Sequence, residues 1–181
     1  MKQLLVLSVA VCLILGLSST ASANPRLFSA IKAGDSAQVS ELLSGGADPN
    51  VADTSGRSSL MIAAKEGQLG AVKALLIAKA SLKSTDPNGW SALMYAVRYN
   101  KPDIVYFLLQ AGADPNQADN DGVSPLMYAT RDGHVEVVRT LLANDADPTL
   151  KNKRDQTAMT WAERGGNQEI IALLKKAGID N

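Results

Sequence analysis

The chain has 181 residues, with 18 Lys plus Arg against 18 Asp plus Glu, one His and one Cys. That balance gives no global pull toward nucleic acid or an anionic membrane. One His and one Cys are too few for a zinc-type ligand set.

Residues 1–23, MKQLLVLSVAVCLILGLSSTASA, carry one Lys, an apolar run from Leu4 to Leu17, and a small-residue end at Ala21, Ser22 and Ala23. This is the order of a secretory signal peptide, so cleavage is expected after Ala23. The protein is expected to be exported, with the periplasm as its first destination and secretion as the second. The apolar run is shorter than the roughly 20 residues that a membrane helix needs. Cys12 follows Val11 inside this run instead of standing at its end after a small residue, so no lipid anchor is expected. Removing residues 1–23 leaves 158 of the 181 residues, and 17 of the 18 basic side chains against 18 acidic ones. With no cysteine in that remainder, the fold must hold by packing, without disulfides or a thiolate nucleophile. Its length fits one domain, 24–181, and no later stretch is apolar enough to span a bilayer.

From there the chain repeats at a step of 33 residues. Gly56, Gly89 and Gly122 share this step with Asp155, and Leu60, Leu93, Leu126 and Met159 keep it. So do Ala63, Ala96, Ala129 and Ala162, and the Leu pairs 42/43, 75/76, 108/109 and 141/142. The register divides the chain into an N-terminal capping repeat at 24–50, repeats 1 to 3 at 51–83, 84–116 and 117–149, and a C-terminal capping repeat at 150–181.

Each unit reads as two short helices and a turn. Ser58, Ser91, Ser124 and Thr157 stand where a first helix begins, with a hydroxyl ready to accept from an orphan backbone amide. Pro125 takes a first helical position, where its missing donor costs nothing. Gly34, Gly67, Asn100, Gly133 and Gly166 tolerate the left-handed conformation that ends a helix. The second helix closes in GGADPN (45–50), AGADPN (111–116) or NDADPT (144–149). An extended stretch then leads to Asp53–Gly56, Asp86–Gly89 or Asp119–Gly122, where Asp first and Gly last suit a type I turn at a hairpin tip. A lone helix pair of this size cannot bury its apolar face, whereas stacked neighbours share one core.

The pattern D-x-x-G-x-S/T-P-L-x-x-A, then G-H, L-L and G-A-D-P-N, resembles the ankyrin repeat over essentially all of 24–181. The resemblance implies an all-α solenoid of stacked helix-turn-helix units with projecting β-hairpin tips, and a concave surface that binds partners. The chain departs from the family pattern at Met61, Met94 and Met127, where the family usually has His. It departs again at Lys79, Leu82 and Lys83, where repeat 1 would end in GADPN; Lys79 replaces a Gly where positive φ is favoured.

No catalytic constellation can be assembled. The chain has no G-x-S-x-G, phosphate loop or G-x-G-x-x-G, and QADNDG (117–122) lacks the first Asp and the terminal Glu of a calcium loop. His134, the only histidine, fits the usual family residue after the helix-ending Gly. No enzymatic activity, cofactor or metal is expected.

Counted from the core Leu at about 100° per residue, positions +2, +5 and +6 of the first helix point away from the core. Position +2 holds Ser29, Ile62, Tyr95, Tyr128 and Trp161; +5 holds Lys32, Lys65, Arg98, Arg131 and Arg164; +6 adds Glu66, Tyr99 and Asp132. After the tip Gly come Arg57, Trp90 and Val123, with Gln156 at the matching place in the fourth tip. Trp, Tyr and Arg dominate interface hot spots. The candidate partner-binding residues are therefore Arg57, Lys65, Trp90, Tyr95, Arg98, Tyr99, Tyr128, Arg131, Trp161 and Arg164, along a ladder of about 40 Å. The basic residues at +5 read equally well as scaffold paired with Glu66, Asp132 or Glu163.

The preferred expectation is a non-catalytic, exported protein, monomeric when unbound, that holds another protein on its concave face as an inhibitor, immunity partner or assembly factor. Exported proteins of the family that look like this include periplasmic partners of cell-wall enzymes and of catalases. The alternative is direct binding of an extended polyanion or glycan, such as a cell-wall fragment, along the ladder.

Overall fold

The computed structural model describes residues 20–178. The leader expected over residues 1–23 lies outside the described residues as far as residue 19, and Cys12 with it. The described residues form ten helices in five pairs: α1 (Thr20–Ala33) with α2 (Ser36–Ser44), α3 (Ser59–Glu66) with α4 (Leu69–Ile77), α5 (Ala92–Arg98) with α6 (Pro102–Gln110), α7 (Pro125–Arg131) with α8 (Val135–Leu142), and α9 (Ala158–Gly165) with α10 (Gln168–Lys176). First helices stack on first helices and second on second, which makes an all-α solenoid. No described helix is long and apolar enough to cross a membrane.

The hydroxyls of Ser58, Ser91, Ser124 and Thr157 each accept from the amide three residues on, at 3.3 Å. They satisfy donors that the helix itself cannot. Gly67 and Gly166 end α3 and α9 in the left-handed conformation. Asn100 takes the same place after α5 with φ of 49°, as a short polar side chain permits.

The core is one continuous cluster. Leu27, Leu60, Leu93 and Leu126 are at most 1% exposed, and Ala63, Ala96 and Ala129 beside them are fully buried, so neighbouring first helices approach closely. Leu75, Leu108, Leu141 and Leu174 close it from the second helices. Met61, Met94 and Met127 are buried, and the Ser58 amide donates to the Met61 sulfur at 3.3 Å. A thioether is a weak acceptor on a flexible chain, so it fills a gap where an imidazole would need polar partners.

The tips are tighter than hairpins of paired strands, which corrects the expectation from the repeat pattern. Among the described residues a single antiparallel bridge forms, between Ala52 and Ser58. Each tip is instead closed by one amide donating four residues on: Asp53 to Arg57, Asp86 to Trp90, Asp119 to Val123 and Asn152 to Gln156. The side chain that opens each tip then accepts amides two and four residues on, such as Asn88 and Trp90 for Asp86. A five-residue loop folded around its own opening side chain leaves little strand to pair. In the fourth tip Asp155 replaces Gly and adopts φ of 55°.

Candidate partner-binding face

All ten sequence-predicted residues lie on the first helices or at their ends and tips, in very different states. Tyr95 is 8% exposed and Tyr128 7%, and Ile62 at the same position is also buried. The expectation that position +2 points away from the core is therefore corrected. A first helix in a stack is flanked by two others and overlaid by its tip, so a wheel drawn for one helix overstates its free surface.

Each tyrosine instead ties its helix to its tip. The Tyr95 hydroxyl donates to Asp86 Oδ2 at 2.9 Å, and the Tyr128 hydroxyl donates to Asp119 Oδ2 at 2.6 Å. One carboxylate oxygen folds the loop and the other receives the phenol. The indole of Trp90, half-buried, lies between the two tyrosines with ring centroids 5.4 Å from Tyr95 and 4.8 Å from Tyr128. Such tilted aromatic pairs add about 0.5–1.5 kcal/mol each beyond burial. Trp90 thus joins repeats 2 and 3.

Where position +2 is not Tyr, the tip finds another partner. Ile62 has no hydroxyl, and there the Arg57 guanidinium donates to Asp53 Oδ2 through Nη2 at 2.6 Å and Nε at 2.9 Å. Burial alone would raise the Asp53 carboxyl, but the Arg57 side chain and the amides of Arg57 and Ser55 outweigh it and hold the group below the usual carboxylate range. Trp161 has no acceptor-seeking hydroxyl either, and there Asn152 replaces Asp and donates through Nδ2 to Gln156 Oε1 at 3.1 Å. Sequence reasoning read the tip Asp residues as turn formers and missed this pairing. Comparing repeats would have revealed it: Tyr at +2 goes with Trp90 or Val123 after the Gly, and Ile or Trp at +2 goes with Arg57 or Gln156.

Burial first, and then the bond to the carboxylate, push the phenols of Tyr95 and Tyr128 far above their ordinary value. The fold favours their neutral form, so this stabilisation is intact below the usual phenol range of about 10 and is lost as pH rises through and beyond it. In an ultraviolet titration, two of the four tyrosines are expected to ionise only as the protein unfolds. Four tyrosines titrating together near pH ~10 would contradict the two buried bonds.

The outer part of the face is polar and open. Asp132, whose side chain is 13% exposed, receives Arg98 Nη1 on Oδ2 at 2.7 Å and Arg131 Nε on Oδ1 at 2.9 Å. Arg131 also lies over the rings of Tyr128 and Trp161, at 4.7 and 5.4 Å. Lys65 pairs with Glu66 at 3.2 Å and sits 5.5 Å from the Tyr99 ring centroid. Tyr99 is 46% exposed. Trp161 is half-buried with an indole N–H that has no partner among the described residues. Arg164 is exposed and forms no ion pair among the described residues. The basic ladder is thus neither a row of free cations nor wholly neutralised: Glu66 and Asp132 take up part of it, and Glu163 forms no ion pair among the described residues.

Stacked helix pairs with capped starts, left-handed ends and tight Asp-Gly tips define a repeat solenoid that presents one continuous side-chain face. A family model described as ankyrin repeats (3 copies) matches residues 27–119 and 112–181. The chain belongs to the ankyrin-repeat family, whose repeats form protein–protein interaction modules, typically non-catalytic. Comparison with curated proteins finds no match.

Proposed function

We propose that this protein is an exported binding module that holds a partner protein on the face formed by α5, α7 and α9 and their tips, acting as an inhibitor, immunity partner or assembly factor. The observation that carries this reading is the pairing of Arg98 and Arg131 on Asp132, two guanidinium groups held in fixed geometry, with the exposed aromatic Tyr99 next to Arg98 in the chain. Anchors of this kind lose little side-chain entropy on binding and concentrate binding energy. The leader-like residues 1–23 support export, to the periplasm or beyond. The polymer alternative draws less support, because a repeating ligand would favour equivalent free cations in successive repeats, and Arg98 and Arg131 converge on one carboxylate instead.

Affinity capture from a periplasmic extract, with wild type and an Arg98→Ala/Tyr99→Ala variant, tests the face. Both side chains are exposed and Asp132 keeps Arg131 as a partner, so the fold is expected to hold, and an unchanged circular dichroism spectrum checks it. The variant is expected to lose at least about tenfold in affinity, or about 1.4 kcal/mol. Equal recovery of the same partner by both proteins would remove the assignment. Fractionation should place the mature protein outside the cytoplasm with Asn24 as its first residue, and a cytoplasmic, uncleaved chain would remove export.

A further inference from the structure

The joints between repeats are not equivalent. Between the N-terminal cap and repeat 1, the Ser81 amide donates to Asn50 Oδ1 at 2.8 Å. Between repeats 2 and 3, Asn116 makes the matching clamp, accepting from the Asp147 amide at 2.7 Å and donating to the Asp145 carbonyl at 3.1 Å. The same joint carries Arg98 to Asp132 at 2.7 Å and Gln110 to Asn144 at 2.8 Å. At the tips, Asn120 donates to the Asn88 and Pro87 carbonyls at 3.0 and 2.8 Å. The last joint has Lys153 donating to the Asp121 carbonyl at 3.0 Å and Arg139 to Glu169 at 3.1 Å.

Between repeats 1 and 2, no hydrogen bond or ion pair crosses among the described residues. The chemistry explains why. Lys83 stands where Asn50 and Asn116 stand in their repeats, and an ammonium cannot accept an amide. In the same loop Lys79 is held at φ of 68°, where the corresponding Gly46 and Gly112 adopt such values freely and Asp145, at φ of 62°, has the short polar side chain that tolerates them. Backbone strain and a missing clamp fall together at one joint.

Packing is uneven there as well. The first helices α3 and α5 are the most closely packed pair of their layer, whereas α4 and α6 are the least closely packed of the second helices. On the other side of α4, Gly70 leaves room for Ser36 of α2, whose Cβ lies 2.7 Å from where a Gly70 Cβ would stand; Asp103 occupies the same position in α6. Across the open joint, Lys73 over the Phe107 ring at 5.3 Å, Lys65 over the Tyr99 ring at 5.5 Å and Pro87 against Gly56 provide contacts without hydrogen bonds or ion pairs.

We infer that the solenoid consists of two bodies, residues 24–83 and residues 84–178, joined by a flexible apolar hinge between α3 and α5 that opens on the α4–α6 side. The hinge changes the separation of Arg57 and Lys65 on one body from Trp90, Arg98 and Tyr99 on the other. It sets the curvature of the face whatever the face binds, and it does not depend on the proposed partner.

Urea unfolding of the full mature chain tests this. Trp90 and Trp161 are the only tryptophans and both lie in the second body, so fluorescence follows that body alone while far-ultraviolet circular dichroism follows both. The wild type is expected to lose ellipticity at lower urea than it loses fluorescence, with amide exchange across residues 69–83 at least about tenfold faster than across 102–116. Lys79→Gly/Lys83→Asn, which restores the clamp and relieves the strain, is expected to bring the two transitions together and slow exchange in 69–83. Asn116→Lys, which removes one of several bonds at the next joint, is expected to leave the wild-type order of events in place. Coincident transitions with uniform exchange in the wild type would overturn the hinge. An early transition unmoved in the restored variant would overturn it too, since simple fraying of the chain end would then account for it.

Discussion

Trp90→Ala is expected to lower stability by about 3 kcal/mol, the upper range of what a single side chain outside the deep core contributes. The estimate combines loss of a large, half-buried aromatic with loss of two tilted ring contacts that join neighbouring repeats. Urea unfolding followed by circular dichroism measures it, and Trp161 remains as a second probe. Trp90→Phe should recover most of the loss, because a ring can still reach both Tyr95 and Tyr128. A loss below about 1 kcal/mol in the alanine variant would mean that the wedge is ornamental. The result bears on function, since a binding defect in any Trp90 variant would mix lost contact with lost scaffold. Arg98 and Tyr99 are cleaner probes of the face for that reason.

Tyr95→Phe is expected to cost about 2 kcal/mol, because it strips a donor from a carboxylate buried to 7% exposure. Tyr128→Phe should cost somewhat less, since Asp119 is only half-buried and water can replace part of the bond. A double-mutant cycle with Asp86→Ala separates the bond from the ring: the coupling energy should hold most of the single-mutant loss. Asp86→Asn, which keeps one acceptor oxygen for the tip amides but turns an NH2 donor toward the phenol, should be milder than Asp86→Ala. Equal losses for Asn and Ala would argue against a tip folded around this side chain.

The architecture was almost wholly legible in the sequence. The 33-residue register of Leu60, Leu93 and Leu126, the capping hydroxyls and the helix-ending Gly residues encode local structure that each repeat builds alone and then shares with its neighbours. The face was legible only in part. Arg98, Arg131 and Tyr99 could be placed because +5 and +6 lie outward in any stack. Tyr95 and Tyr128 could not be placed correctly, because their burial arises from the next helix and the overlying tip, which a single-helix wheel omits. The Lys83 departure was visible as a break in GADPN, but its meaning needed the bonds that Asn50 and Asn116 make across their joints.

The exchange of partners at the tips also bears on how such an array diverges. A tip with Asp and Arg57 suits Ile at +2, one with Asp and an apolar neighbour suits Tyr, and one with Asn and Gln156 suits Trp. Two positions in each repeat therefore carry one inherited choice. Putting Tyr into repeat 1 while Arg57 still holds Asp53 would leave two donors competing for one carboxylate oxygen. Losing Arg57 first would strand the charge beside an isoleucine. A repeat therefore keeps its tip closed only if both positions change together.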